Sequence, residues 1–373
     1  MRRLVSPWVV VVLGACSDAE TAPACKPQEL VVVASDYTSS GVGGLAGTQC
    51  DLKFGTDLGK DPLLVRSRGR TFLLARGIND QAIELDGSCG YPIAKRSIAS
   101  DGATGTSNPQ DLAVTGAGAL WVPKFFRPEI TIVGADGARD RIDLSSYDAD
   151  GNPNASAIRI LTVAGREKAF VALERLDNRS TELPANQTAL LVRFDVATRK
   201  AEQVSELAGR NPFGLMVEAE GGLYLAAPGN FNRTDEADAG IVRYEPDTGA
   251  SRLVVSEAAL GGSVVQIAID GTCGAAIVAD PTQDVNRTAV VLFDASTGVA
   301  SHTYAAPLYG PTSGYDLQGL TFTESTLFVG DRRRGDGGYP VHRFPRLPGC
   351  RVGSEGEPAR MSQKPVAFLP AQR

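Results

Sequence analysis

Near the end of the chain, Thr326–Asp331 reads TLFVGD, a short apolar strand that closes on a small residue and a polar one, and near-copies of it recur along the sequence. They are LVVVASD centred on Val33, FLLAR on Leu74, LWVPK on Val122, AFVAL on Val171, LYLAA on Leu225 and AIVAD on Val278, with Val329 central in the last. The steps between centres are 41, 48, 49, 54, 53 and 51 residues. One strand motif per period of about fifty residues marks a fold built by radial repetition. A length of 373 residues suggests two or three ordinary domains, but all-β repeats run this long as one.

Each repeat reads as four strands. The inner strand opens after a Pro or Gly, as in Asn211-Pro212-Phe213-Gly214, and the apolar motif comes second. The third carries an apolar run into a tight turn (ALLVRFDVATRK, GIVRYEPDTGA, AVVLFDASTGVA), where Gly249 and Gly298 are free to take positive φ. The fourth alternates, as in RDRIDL at 139–144. Seven second strands predict an all-β, seven-bladed β-propeller of four-stranded antiparallel blades. The first blade has no inner strand ahead of Leu30, whereas Lys364-Pro365-Val366-Ala367-Phe368 matches the leads at Asn108-Pro109 and Asn211-Pro212. The C-terminal strand is therefore expected to close the ring and cover an open edge. The one run of helix formers, at 256–260, is short.

The first residues read as a targeting segment. Arg2 and Arg3 precede WVVVVL at 8–13, too short for a membrane helix, and Leu13-Gly14-Ala15-Cys16 follows, which resembles a bacterial lipobox. The expected organisation is a signal peptide over 1–15, a lipidated Cys16 and short tether over 16–29, and a propeller over 30–373. Acyl chains on Cys16 would hold the protein to a bilayer of the bacterial envelope, at the outer membrane or cell surface. No later stretch is long and apolar enough to span a bilayer. Five further cysteines remain, without a CxxC spacing, so zinc is not expected and disulfides are permitted, Cys25–Cys50 being the expected pair. A formal charge of −6 with dispersed acids argues against a nucleic-acid partner.

Meander topology sorts the loops. The second-to-third turns share one face with the inter-blade crossings, and the other turns share the opposite face with the tether. The long second-to-third loops, at 175–188, 229–239, 281–288 and 332–338, fall in blades four to seven. Their charged residues Arg175, Asp177, Arg233, Asp235, Asp284, Arg287, Arg333 and Asp336 are candidates for contacting a partner, because loops carry recognition more often than strands.

The period, the LYLAA and LFVGD strands and the VRFDVATRK and VLFDASTG turns resemble the YVTN-type propellers of the quinoprotein amine dehydrogenase-like superfamily. The segments IDLSSYDADGNPNAS, NPFG, LGGSVVQIAI and FVGDRR resemble a group of envelope lipoproteins with that fold. The resemblance implies the propeller and leaves activity open, since such propellers host many functions.

The chemical inventory points away from catalysis. His302 and His342 are the two histidines, without metal-ligand spacing, and are expected as satisfied sheet residues; no nucleophile elbow, P-loop or zinc-protease motif occurs. Asp148-Ala149-Asp150-Gly151-Asn152 fails the calcium-loop pattern, since Pro153 and Arg159 stand where Gly and Glu are needed. An Asx-turn is expected there, with Asp148 and Asp150 as residual metal candidates. Asn108, Asn152, Asn211, Asp316 and Gln318 are placed at inter-blade crossings around one channel mouth, as turn initiators or as binders of a polar ligand or cation. Trp8 goes with the signal and Trp121 is expected in the core, so no cofactor is expected. The sequence thus points to a monomeric, membrane-anchored, non-catalytic binding module for an envelope protein or polymer. The alternative is a cation-dependent hydrolase- or lactonase-like enzyme using the channel mouth.

Overall fold

The structure is a computed structural model that describes residues 28–372, apart from 56, 78–79, 103–104, 232 and 281–286. The positions of Cys16, Cys25 and Asp284 lie outside the described residues. The chain forms a ring of seven antiparallel blades. The second strands are Leu30–Ser35, Arg70–Ala75, Leu120–Pro123, Arg166–Leu173, Gly222–Ala227, Cys273–Ala279 and Thr326–Asp331.

These strands are apolar along their length because both faces are covered by neighbouring blades, which replaces the alternation of a half-exposed strand with a continuous run. The pleat sends successive side chains to opposite seams. Phe72 and Leu74 pack with Leu112, Val114 and Leu120 of blade 3, while Leu73 and Ala75 pack with Val31 and Val33 of blade 1. Seven buried clusters result, one in each seam. Burying each Leu, Val or Phe there is worth roughly 1.5–3 kcal/mol.

The ring closes with the tail. Pro365–Pro370 pairs antiparallel with Leu30–Ser35, setting Val32 opposite Phe368 and Val33 opposite Ala367, as the Pro-led match predicts. Two blades depart from four plain strands. Blade 6 has three strands, with isolated bridges at Val290–Tyr309 and Phe293–Ala300 along its outer edge, so His302 lies in a bend and not in a fourth strand. Blade 7 splits its outer edge between Arg351–Val352 and Ala359–Met361, both paired with Tyr339–Leu347. The expected helix former is a single turn, Glu257–Leu260, capped by the Ser256 hydroxyl.

The chain enters the ring beside a third-to-fourth turn: Glu29 N donates to Leu45 O at 2.7 Å, and Gly47 N to Glu29 Oε1 at 2.9 Å. This N-terminal face also carries the disulfide Cys273–Cys350, which joins a turn of blade 6 to a turn of blade 7. The expected Cys25–Cys50 pair is not formed, because Cys50 is a free thiol. It sits in the outer strand Gln49–Gly55 and leans on the seam between blades 7 and 1, where burial pushes it up to about 12. Cys89 is disulfide-bonded as well.

Candidate functional site

The opposite face, here the loop face, carries the second-to-third loops and the channel mouth. Its framework repeats a backbone bond in which the residue just past a second strand donates to the residue that opens the inner strand. Phe125 N donates to Asn108 O at 3.1 Å, Glu174 N to Asn154 O at 3.2 Å and Arg332 N to Asp316 O at 2.7 Å. Asn108, Asn154 and Asn211 take φ of 53°, 50° and 55°, the left-handed region that asparagine tolerates better than most residues. Blade 4 therefore places Asn154, not Asn152, where Asn108 and Asn211 stand. Proline follows Asn152 as it follows Asn108 and Asn211, which makes Asn152 the expected residue, but the chain makes its Asx-turns first and enters the strand two residues later.

Those turns use the acidic string at 148–152. Asp150 Oδ1 accepts from Asn152 N at 2.9 Å, and its Oδ2 accepts from Asn178 N at 2.9 Å and Asn178 Nδ2 at 3.0 Å. Burial opposes ionisation of Asp150, but the hydrogen bonds from Asn152 and Asn178 outweigh it and hold the carboxyl below its usual range. Asp148 accepts from Gln187 Nε2 at 3.1 Å and faces Arg175 Nε at 3.6 Å. The string thus clasps the 175–188 loop to the ring, and Asn178 is the keystone.

Other predicted loop residues are similarly matched. Arg175 donates to Gln187 Oε1 at 2.7 Å, and Asp177 pairs with Arg179 at 2.8 Å. Arg233 and Asp235 face each other at 3.4 Å in the solvent, and Arg287 reaches Asp280 at 3.9 Å. Asp336 is exposed in a turn closed by Gly335 N and Gly338 O at 2.9 Å. Arg333 grips Asp331 at 2.6 Å within a cluster the sequence did not reveal. There, the His342 nitrogens lie 2.5 Å from Glu355 Oε1 and 3.4 Å from Asp331 Oδ2, and Tyr309 covers the imidazole with centroids 4.1 Å apart. Burial would raise the Asp331 carboxyl, but bonds from His342 and Arg333 hold it well below the ordinary range. His342 is a satisfied sheet residue, as expected, with more partners than its sequence context showed.

At the mouth the structure gathers Asn108, Asp316 and Gln318 with residues the sequence reading passed over. Arg76 leaves blade 2 and donates to Gln110 Oε1 at 2.8 Å, Asn108 Oδ1 at 3.4 Å and Asp61 O at 2.9 Å. Arg332 of blade 7 bonds Gln318 Oε1 and the Tyr37 hydroxyl of blade 1. Asn211 stands apart: its Nδ2 donates to Gly229 O at 2.8 Å, but its buried Oδ1 has no donor among the described residues, and the same holds for Asn152 Oδ1. Below the mouth, fully buried Asp111 accepts from Ile158 N at 2.9 Å and Arg159 Nη1 at 2.8 Å and braces blade 3 to blade 4.

A wider pattern surrounds the mouth. Five of the seven apolar second strands end, at the loop face, in buried charged residues: Arg76, Lys124, Glu174, Asp280 and Asp331. Burial brings Lys124 down to about 8 and raises Glu174 well above the carboxyl range. The signal was in the sequence, as the polar letter closing FLLAR, LWVPK, AIVAD and TLFVGD. A cavity of about 560 Å³ lined by Trp121, Ile132, Glu167 and Arg199 lies on the N-terminal face, away from this chemistry.

No protein-family profile matches the chain, and no curated protein matches it. Solved structures do. A streptogramin B lyase is similar at a TM-score of 0.53 and 12% identity, over 82% of this chain and 86% of that one. The dihydro-heme d1 dehydrogenase NirN in complex with DHE is similar at a TM-score of 0.53 and 11% identity, over 93% and 68% of the two chains. A catalytically inactive virginiamycin B lyase from Staphylococcus aureus with quinupristin follows at a TM-score of 0.51 and 11% identity, over 83% and 92%. At such identities the likeness is one of fold.

Proposed function

We propose that this chain is a lipid-anchored protein of the bacterial envelope whose propeller is a binding module, recognising a protein or polymer partner with the loop face. The observation that carries the reading is the division of labour between the faces. The chain enters on one face, among the disulfide and the tight turns. The long loops of blades 4 and 5 stand on the other, and they are pinned by fixed bonds: Asn178 ties the blade 4 loop to Asp150, and Ala185 N donates to Asn230 Oδ1 of the blade 5 loop at 2.9 Å. Loops preorganised in this way lose little entropy on binding. Leu13-Gly14-Ala15-Cys16 supports the anchor, which would turn the loop face away from the membrane.

Replacing residues 179–183 by a short Gly-Ser turn, which spares Asn178, should leave the melting temperature within a few degrees of wild type. It should abolish co-purification of the partner cross-linked in intact envelopes. Capture that survives this change, yet is lost on altering the N-terminal-face turn at 271–272, would put the recognition surface on the wrong side.

The enzyme reading is favoured by one observation, the two buried amide oxygens of Asn152 and Asn211 without donors, since hard carbonyl-type oxygens suit a cation. Its test is melting with and without millimolar calcium or magnesium. A rise of several degrees, removed by Asn211→Ala, supports it; an unchanged melt rejects it.

A further inference from the structure

Arg332 projects at the channel mouth with neutral partners around its guanidinium. Nη1 donates to the Tyr37 hydroxyl at 3.0 Å and to Gln318 Oε1, Nη2 reaches Ser35 O at 3.4 Å, and the guanidinium carbon stands 4.9 Å from the Tyr37 ring centroid. Asp316, whose backbone carbonyl holds Arg332 N, directs its carboxylate to Gly314 N at 2.8 Å and to Arg333 at 4.0 Å. Among the described residues no carboxylate pairs with Arg332, and its Nε makes no hydrogen bond. The Nε–Nη2 edge, which grips a carboxylate through two parallel hydrogen bonds, is free apart from the long contact to Ser35.

The surroundings are built, not incidental. Tyr37 takes φ of 66°, an unfavourable region for a bulky residue. It is held there because Ser35 Oγ accepts Tyr37 N at 3.0 Å, and Asp36 Oδ1 accepts Thr38 N at 2.9 Å and Ser39 N at 2.8 Å. The ring is thereby presented to solvent, 48% exposed, and Tyr315, 37% exposed, meets Gln318, which Arg332 also bonds. Gln110 and Asn108 continue the rim on blade 3. Formal charge at the mouth balances, Arg76, Arg332 and Arg333 against Asp61, Asp316 and Asp331, but Asp61 lies on Arg76 and both other carboxylates face Arg333, so Arg332 is the guanidinium without a carboxylate partner among the described residues.

We propose that this rim binds a carboxylated sugar unit of an acidic polysaccharide. The carboxylate docks on the free edge of Arg332, the hydroxyls exchange hydrogen bonds with the amides of Gln318, Gln110 and Asn108, and the ring lies against Tyr37 or Tyr315. A single unpaired guanidinium edge with two donors suits a carboxylate monoanion better than a phosphate dianion. Amides and phenols suit hydroxyls better than an acidic peptide, which would want a free strand edge; here the backbone of the crossings is already bonded, as in Arg332 N to Asp316 O and Ser35 N to Lys364 O. The inference rests on the proposed function in taking the loop face as the recognition surface.

The test is calorimetric titration of the purified full chain with galacturonate oligomers, a neutral gluco-oligomer of equal length, inorganic phosphate and an acidic peptide. Binding of the uronate oligomer alone is expected, weakened at least tenfold by Arg332→Gln with melting unchanged, and weakened again by Tyr37→Ala. If Arg332→Gln does not fold, Arg332→Lys keeps the charge without the fork and should lose several-fold. Equal uronate binding by these variants, equal binding of the neutral oligomer, or binding of phosphate or peptide in place of uronate would overturn the proposal. If uronate fails while the 179–183 replacement still abolishes partner capture, this inference falls and the proposed function stands. If uronate binding depends on Arg332 but the loop replacement has no effect on capture, the loops and not the mouth have been misassigned.

Discussion

The second strand of blade 2 gives Phe72 and Leu74 to one seam and Leu73 and Ala75 to the other, then ends at the loop face in Arg76. The second strand of blade 7 gives Phe328 to one seam and Leu327 and Val329 to the other, then ends in Asp331. The strand interiors are interchangeable in kind, while their ends differ in sign and in partners. Arg76 meets Asp61 and Gln110, and Asp331 meets Arg333 and His342. A seam asks only for apolar volume of the right size, a demand many side chains satisfy. A buried charge asks for particular donors or acceptors, and each blade supplies its own. Repetition therefore builds the ring, and the departures from repetition at the strand ends give each blade its own chemistry at the loop face.

The largest effect should come from breaking the repeated part. Deleting residues 363–372 removes the inner strand of blade 1, strips Leu30–Ser35 of its partner Pro365–Pro370 and empties Phe368 from the seam between blades 7 and 1. Because each blade is stable only against its neighbours, the loss spreads around the ring. The expected outcome is loss of the cooperative thermal transition, read by circular dichroism. A truncated chain that melts as wild type would show that the seams, not the closure, hold the ring.

The strand interiors were legible in the sequence because a strand buried on both faces writes itself as an apolar run, and the tail match was legible because Pro365 repeats Pro109 and Pro212. What joins residues across the ring was not. The cysteines of Cys273–Cys350 are 77 residues apart and meet only because neighbouring blades set their turns side by side. Arg332 and Tyr37 are 295 apart and meet through ring closure itself. Asn152 misled because a proline marks a turn without fixing how many residues the turn consumes, and the missing outer strand of blade 6 has no local signal in a segment that still alternates.

A smaller effect should follow at the individual ends. Glu257, at the crossing from blade 5 to blade 6, is fully buried and accepts Val264 N at 2.6 Å and Ser263 Oγ at 3.1 Å. Burial, outweighing these bonds, pushes it from 4.5 up to about 8. Between those values the folded chain holds a proton that the unfolded chain releases, so this group's contribution is complete below 4.5 and is lost as pH rises through about 8. Lys124, brought down to about 8, has the opposite sign: the folded chain sheds a proton first, and stability recovers as pH rises from about 8 toward 10.5. Glu257→Gln should flatten the fall in unfolding free energy between pH 5 and 8 by something on the order of 3 kcal/mol. Urea titrations at pH 5, 7 and 8 decide it; parallel profiles for wild type and variant would mean that Glu257 stays ionised.

The smallest effect sharpens the comparison within one repeated turn, where interior and individual rules meet. Besides the blade 2 turn, in which Gly90 N donates to Asp86 O at 2.7 Å, three third-to-fourth turns share a closing bond: Arg199 N to Asp195 O at 2.7 Å, Gly249 N to Glu245 O at 2.8 Å and Gly298 N to Asp294 O at 2.8 Å. The closing residue has positive φ in each, 59°, 77° and 77°. Blades 5 and 6 supply glycine, as the EPDTG and DASTG turns lead one to expect, while blade 4 supplies arginine, which strains the backbone by about 1 kcal/mol. The exposed pair of Arg199 with Asp140 offsets part of that strain at best. Arg199→Gly should thus be neutral or stabilising, by up to about 1 kcal/mol. The two glycines are not equivalent. A Cβ on Gly249 would meet the movable Gln203 amide at 1.9 Å, whereas one on Gly298 would meet the backbone oxygen Val254 O at 2.0 Å. Gly249→Ala should cost about 1 kcal/mol, and Gly298→Ala about twice that, since the ladder cannot step aside. Chemical denaturation of the three variants reads the order directly. Equal costs at the two glycines would mean that the turn's own conformation dominates and its surroundings do not, so that even here repetition, and not the individual blade, sets the energy.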